Sequence, residues 1–231
     1  LYYDRGEKYD PEGIGEKLFF DDLENDSYIE VWNIVFSQYD CRPGEVDRHE
    51  YKELPQKNID TGMGLERLVC LIQDGETNFD TDLFLPIIHA TEKYAKHLYS
   101  EKEYKMAYRV IADHIRTVTF AIADGAMFSN EGRGYVLRRV LRRAVRYGIK
   151  LGIDGAFMYK LVKVVADNMI SYYPYLQEKI SLIEKLVKQE EESFHKTLAN
   201  GEALLQNALA EHADSKILPG EVMFKLYDTY R

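Results

Sequence analysis

The sequence predicts an α+β fold in two parts, a strand-bearing part over residues 1–79 and an all-helical part over 80–231. Three observations carry this. Residues 28–36 are filled with β-branched and aromatic side chains, the composition of a strand. A turn of small residues, Asp60, Thr61, Gly62, Met63 and Gly64, runs straight into the apolar-periodic Leu65, Leu68, Val69, Leu71 and Ile72, and so joins a strand to a helix. From Asp80 onward the apolar residues recur at helical spacing only.

Residues 1–27 are rich in Gly, Asp, Glu and Lys with little periodicity and read as a long surface loop. Residues 28–39 read as one buried or half-buried strand, with Glu30, Trp32, Ile34 and Phe36 on one face and Val31, Asn33 and Val35 on the other. Each face thus carries one polar group. A buried polar group without a partner costs about 1 to 3 kcal/mol, so a ligand, a metal ion or an internal hydrogen bond is expected to meet Glu30 and Asn33. Residues 40–57, with Pro43, Gly44 and Pro55, read as an excursion before the segment from Asn58 returns to the sheet, and 65–74 read as a helix.

In the second part, Leu83, Ile87, Ile88, Thr91, Tyr94, Ala95 and Leu98 keep helical spacing, and residues 108–123, 136–149, 157–169 and 175–212 repeat the signal. A break or an antiparallel hairpin is expected near Tyr172, Tyr173 and Pro174, before one extended helix. On that helix Leu182, Leu186, Gln189, Ser193, Thr197 and Leu204 mark an apolar or neutral side, and Glu184, Lys185 and 188–192 a solvated one.

With 231 residues, 45% hydrophobic and 30% charged, the chain reads as soluble and globular, and its net charge of −9 argues against a uniformly basic nucleic-acid binder. The charge is unevenly spread. Between Arg133 and Lys150 stand Arg138, Arg139, Arg142, Arg143 and Arg146 without a single acid. On a helix, Arg138, Arg142 and Arg146 share one side with Arg139 and Arg143 beside them, while Leu137, Val140, Leu141 and Ala144 form the packing stripe. Such a ridge either pairs with neighbouring acids or grips nucleic-acid phosphates. Cys41 and Cys70 lack any paired spacing and read as reduced thiols, not zinc ligands. No apolar run reaches membrane-spanning length, so no membrane partner is expected.

The glycine turn has the makings of an anion site. Gly62 and Gly64 permit close approach to the backbone, the first N–H groups of the following helix point into that space, and Arg67 adds a planar fork matched to phosphate oxygens. The alternative is an ordinary strand-to-helix turn whose Glu66 and Arg67 are surface charges.

Together, Glu30 to Phe36 followed by Asp60 to Arg67 resemble the alanyl-tRNA synthetase family, the alanine-specific class II ligases, the second segment matching the class's motif 3. Arg109 to Arg116, Ala123 to Gly125, Arg133 to Arg139 and Leu226 to Tyr230 resemble the same family in the same order, so the likeness covers essentially the whole chain. It implies the carboxy-terminal part of a class II antiparallel-sheet catalytic domain over 1–79 and a helical domain recognising the tRNA acceptor stem over 80–231. The two earlier class II signatures are absent, and Arg231 stands where the family has Gly, so a fragment beginning after the second signature is expected.

The resemblance further implies activation of alanine with ATP and Mg²⁺ and transfer to the 3′ end of alanine tRNA. Arg67 would hold the γ-phosphate and Glu30 would orient ATP or its Mg²⁺, with Gly64 beside the nucleotide. Asp60 would pair with the substrate ammonium, and Asn33, Val35, Gly62 and Gly64 would shape the alanine pocket, Asp60 and Arg67 facing one shared cavity. Asn130 and Asp228 would read a G·U wobble pair from its two sides, with the arginine ridge on phosphate. One methyl group discriminates by about 1 to 3 kcal/mol, and the family adds an editing domain with zinc, which this sequence lacks. A cytoplasmic protein, or one of an organelle matrix, is implied. The rival is a catalytically incomplete tRNA-binding module; an ATP-dependent carboxylate-activating enzyme without tRNA would have no use for the ridge. Asp113 and His114 read as a hydrogen-bonding pair, not a catalytic one.

Overall fold

A computed structural model describes residues 1–23, 25–41, 44, 47–212 and 217–230, with the backbone alone at Arg48 and 228–230. It separates into two compact units, Leu1–Thr81 and Asp82–Arg231.

In the first unit, β1 (Tyr2–Asp4) pairs antiparallel with β2 (Tyr28–Glu30), Tyr2 standing opposite Glu30. Between them lie a 3₁₀ turn, Glu7–Tyr9, and α1 (Gly15–Phe20). The expected surface loop over 1–27 is therefore structured. Its order comes from contacts that no periodicity announces: the Asp10 carboxylate accepts the N–H groups of Ile14 and Gly15 at 3.0 Å, and the Phe19 ring lies 4.8 Å from Tyr2 and 5.0 Å from Tyr28. A methyl group on Gly15 would stand 2.4 Å from Ser27 Oγ, so this closure requires glycine.

The single strand expected over 28–39 is two. β3 (Trp32–Asp40) pairs with β4 (Lys52–Met63) in a second two-stranded sheet, and Val31 is the handover, its N–H on Leu1 O at 2.9 Å and its carbonyl accepting Gly64 N–H at 3.0 Å. β3 is not buried either. Both faces of the ribbon are open, with Phe36 62% exposed on one and Val35 50% on the other, because no layer among the described residues of this unit covers them. The return strand begins at Lys52 rather than Asn58. Pro55 is tolerated there because it falls at the register shift between Ser37 and Tyr39, where the ladder is already interrupted; Pro43 lies outside the described residues. α2 (Leu65–Ile72) buries Cys70 and ends two residues earlier than expected.

The second unit is helical, as expected: α3 (Leu85–Glu92), α4 (Lys105–Ala123), α5 (Gly132–Lys150), α6 (Met158–Met169), α7 (Tyr175–Glu211) and α8 (Gly220–Tyr230). The chain breaks between α6 and α7 at the predicted tyrosines and proline. The core gathers Ile87, Ile88, Tyr108, Ile111, Leu141 and Leu161 around α4. Gly148 admits the Phe157 ring, whose Cε1 would stand 2.3 Å from an added methyl.

α7 buries a different stripe from the expected one. Leu176, Ile183, Val187, Glu191, Phe194, Gly201 and Ala208 face inward, whereas Leu182 is 53% exposed. The inward face passes through Glu191, a residue that hydropathy assigns to solvent. Its carboxylate accepts the N–H groups of Phe157 at 2.9 Å and Met158 at 3.1 Å, and so caps α6 from another helix.

Candidate functional site

The β3–β4 register sets the first candidate site. Asn33 stands opposite Gly62 and Val35 opposite Asp60, and since paired residues of an antiparallel ladder project to the same side, these four positions share one face. The other face carries Trp32, Ile34 and Phe36 against Met63, Thr61 and Ile59. Gly62 brings the ribbon close to a side chain: a methyl there would meet Asn33 Oδ1 at 3.0 Å. Asp60 Oδ1 accepts the N–H of Thr61 at 2.8 Å, which fixes the carboxylate against its own strand.

Gly64 ends the ribbon and begins α2. The Arg67 stem crosses it, Cδ lying 3.2 Å from where a methyl would stand, and Arg67 Nη1 donates to Glu30 O at 2.7 Å, with the Glu30 carboxylate 3.7 Å away. Glu30 is therefore met by an arginine of its own unit. Asn33 is exposed, so the partner expected for a buried Asn33 is not required. Glu30 and Arg67 line an open cavity of about 700 Å³, together with Arg5, Asp26, Tyr28 and Glu76. Asn33, Val35, Asp60 and Gly62 are not among its lining residues; they stand on the ribbon. Asp60 and Arg67, expected in one cavity, thus sit on adjoining surfaces, because a two-stranded ribbon has no second layer to wall them in.

Arg5 escaped the sequence reading. Its Nη2 donates to Gly75 O at 2.5 Å and its guanidinium lies 3.2 Å above the Tyr9 ring, which ties the amino-terminal segment to the turn after α2. Only the pairing of β1 with β2 brings it there.

In the second unit, Arg138, Arg139, Arg142, Arg143 and Arg146 line one groove of about 460 Å³, with His114, Tyr135 and Phe194. They are not equivalent. Arg138 and Arg142 are part-buried and converge on Glu190 of α7, while Arg139, Arg143 and Arg146 are exposed. Glu190 falls in the stretch expected to be solvated; nothing in the local charge pattern distinguishes it from Glu192. Asn130 precedes α5, and its Oδ1 accepts from Arg138 Nη1. It is not the N-cap, a place taken by Glu131. Asp228 lies on α8, and its side chain, like all of Arg231, is outside the described residues. His114 Nδ1 sits 2.8 Å from the Asp113 carboxylate, an adjacent pair. Among the described residues there is no group of three or more metal-ligating side chains, and no helix is long and apolar enough to cross a membrane.

A family model described as tRNA synthetases class II (A) matches residues 1–231. A protein of Streptococcus pneumoniae (strain Hungary19A-6) named alanine–tRNA ligase is 55% identical over 232 residues, and one of the same name from Lactococcus lactis subsp. cremoris (strain MG1363) is 55% identical over 234. Both alignments cover 100% of this chain and 26% of the relative, so the chain spans about a quarter of the length of these relatives.

Proposed function

This chain belongs to the class II tRNA synthetases (A), and on that premise we propose that it is a segment of an alanine–tRNA ligase, which activates alanine with ATP and transfers it to alanine tRNA. One observation carries the reading: Asn33, Val35, Asp60 and Gly62 share a ribbon face that leads directly into Gly64 and Arg67. A small amino acid lies across the rungs, its ammonium on Asp60 and its methyl toward Val35 and the bare Gly62. The ATP phosphates come to Arg67, whose fork suits phosphoryl oxygens. Positioning and charge neutralisation are most of what such a reaction needs.

Mg²⁺ suits the donor set on this cavity wall, since it takes one or two carboxylates together with substrate phosphates and Glu30 offers a carboxylate beside Arg67. Bound there, it would supply charge neutralisation to the phosphates, the Glu30 carboxylate would hold it and Arg67 would orient the nucleotide. In the second unit the exposed arginines grip the acceptor-stem backbone, and Asn130 and Asp228 read the wobble pair in the shallow minor groove. The bacterial relatives favour the cytoplasm as the place of work.

A second reading, that the 231 residues alone are a tRNA-binding module without catalysis, is favoured by the open ribbon, which does not enclose a small molecule. One comparison tests both. The full-length ligase is expected to support alanine-dependent ATP–pyrophosphate exchange, and the 231-residue chain alone to bind a G·U acceptor hairpin in preference to its G·C variant without exchange. Equal binding of the two hairpins by the chain overturns the tRNA assignment, and exchange by the chain alone overturns the second reading.

A further inference from the structure

The two part-buried arginines of the groove hold the clue to a further role. Glu190 Oε1 accepts Arg138 Nε–H at 2.9 Å and Arg142 Nε–H at 2.9 Å, and the three side chains are only 20%, 19% and 11% exposed, in the order Arg138, Arg142, Glu190. Arg142 is held a second time by the Phe194 ring, 4.9 Å from its guanidinium carbon. Arg138 is held a second time by Asn130, whose Oδ1 accepts from Nη1. A guanidinium has donors only, so the Asn130 atom facing it is the oxygen, and the amide Nδ2 is left for another partner. The loop that carries Asn130 is pinned as well. Ser129 Oγ donates to Glu131 O at 2.6 Å, and Gly134 leaves no room for a methyl, which would stand 2.2 Å from Met127 O.

We infer that Glu190 is a positioning residue for wobble-pair recognition: it fixes Arg138, and Arg138 fixes which way the Asn130 amide faces. This rests on the acceptor-stem reading proposed above. The relay runs from α7 through α5 to the loop, and it divides the five arginines by task. Arg138 and Arg142 are withdrawn from phosphate by the carboxylate between them, whereas Arg139, Arg143 and Arg146 remain for the backbone of the stem. A part-buried carboxylate serving packing alone would stabilise the α5–α7 contact and leave recognition untouched. These two roles make different predictions, because orientation of one amide alters the choice between base pairs while phosphate grip alters affinity for all stems alike.

The test uses the full 231-residue chain with Glu190→Ala and Glu190→Gln, and two short RNA hairpins that differ only in a G·U or G·C pair. For the unsubstituted chain a preference for the G·U hairpin is expected; its absence removes the acceptor-stem reading and this inference with it. Given that preference, Glu190→Ala is expected to lower it about tenfold, within the range of one oriented base contact. Affinity for the G·C hairpin stays the same or rises and the salt dependence steepens, as Arg138 and Arg142 turn to phosphate. Glu190→Gln, which keeps an acceptor oxygen, retains part of the preference. An undiminished preference in a folded Glu190→Ala chain overturns the inference while leaving the acceptor-stem reading intact. Should that variant not fold, the side-chain amide resonance of Asn130 in Glu190→Gln decides: a shift relative to the unsubstituted chain supports the relay, and an unchanged position overturns it.

Discussion

The carboxylate of Glu191 accepts the backbone N–H of Phe157 at 2.9 Å, so that a residue in the middle of α7 caps the start of α6. Burial pushes its carboxyl up from 4.5 to about 7, outweighing the backbone bonds from Phe157, Met158 and Tyr159 and the charge of Lys160. The folded chain therefore holds this proton more tightly than the unfolded chain does. The stability it contributes is present in full below about pH 4.5 and is lost as pH rises through about 7. At about 1.4 kcal/mol per pH unit the loss is about 3.5 kcal/mol at most. Urea unfolding of the chain and of Glu191→Gln should show the chain losing stability relative to the non-titrating variant over that window. A difference that does not change with pH would sink the assignment.

Gly148→Ala places a methyl 2.3 Å from Cε1 of the buried Phe157 ring, between α5 and α6. Overpacking of this kind costs about 1 to 3 kcal/mol. Gly220→Ala, with nothing within 4 Å, is the matched control. Thermal unfolding should separate the two variants, and equal melting temperatures would contradict the packing described.

Arg143→Ala and Arg146→Ala remove exposed groove cations, and each should reduce the salt dependence of acceptor-stem binding by about one phosphate contact. Discrimination between G·U and G·C stems should survive both. Loss of discrimination with an unchanged salt slope would reverse the division of tasks among the arginines.

In the full-length ligase, Arg67→Ala should slow alanine-dependent ATP–pyrophosphate exchange by about 10² to 10³, the usual effect of removing one preorganised charge contact, with tRNA affinity unchanged. Asp228→Ala should weaken wobble-pair discrimination and spare exchange. Parallel losses in both assays would disprove the separation.

Much of this molecule was legible in its residues. Helical spacing placed α4, α5, α6 and α7 and the break at Pro174, because each helix buries one continuous apolar face and a 3.6-residue period records it. The glycine turn between β4 and α2 was legible for the same local reason. The ridge of arginines was plain from the order of residues 133–150, though the net charge of −9 conceals it.

The remaining features were settled in three dimensions. Residues 1–27 gained a strand and a helix because Asp10, Phe19 and Ser27 find partners there, and a three-residue strand or a six-residue helix is too short to leave a periodic trace. β3 reads as a buried or half-buried strand by composition and is exposed in fact, since burial depends on a covering layer that a strand's own residues do not encode.

Glu190 and Glu191 mark the limit most clearly. In sequence they belong to one run of charged residues; in the fold one clasps two arginines and its neighbour caps a helix. Sequence by itself determined where the helices lie, where the glycine turn falls and which residues could meet phosphate. Tertiary structure alone decided which carboxylates are buried and which arginines are taken, because desolvation and pairing depend on partners some 50 residues away or, for Arg5 and Gly75, 70.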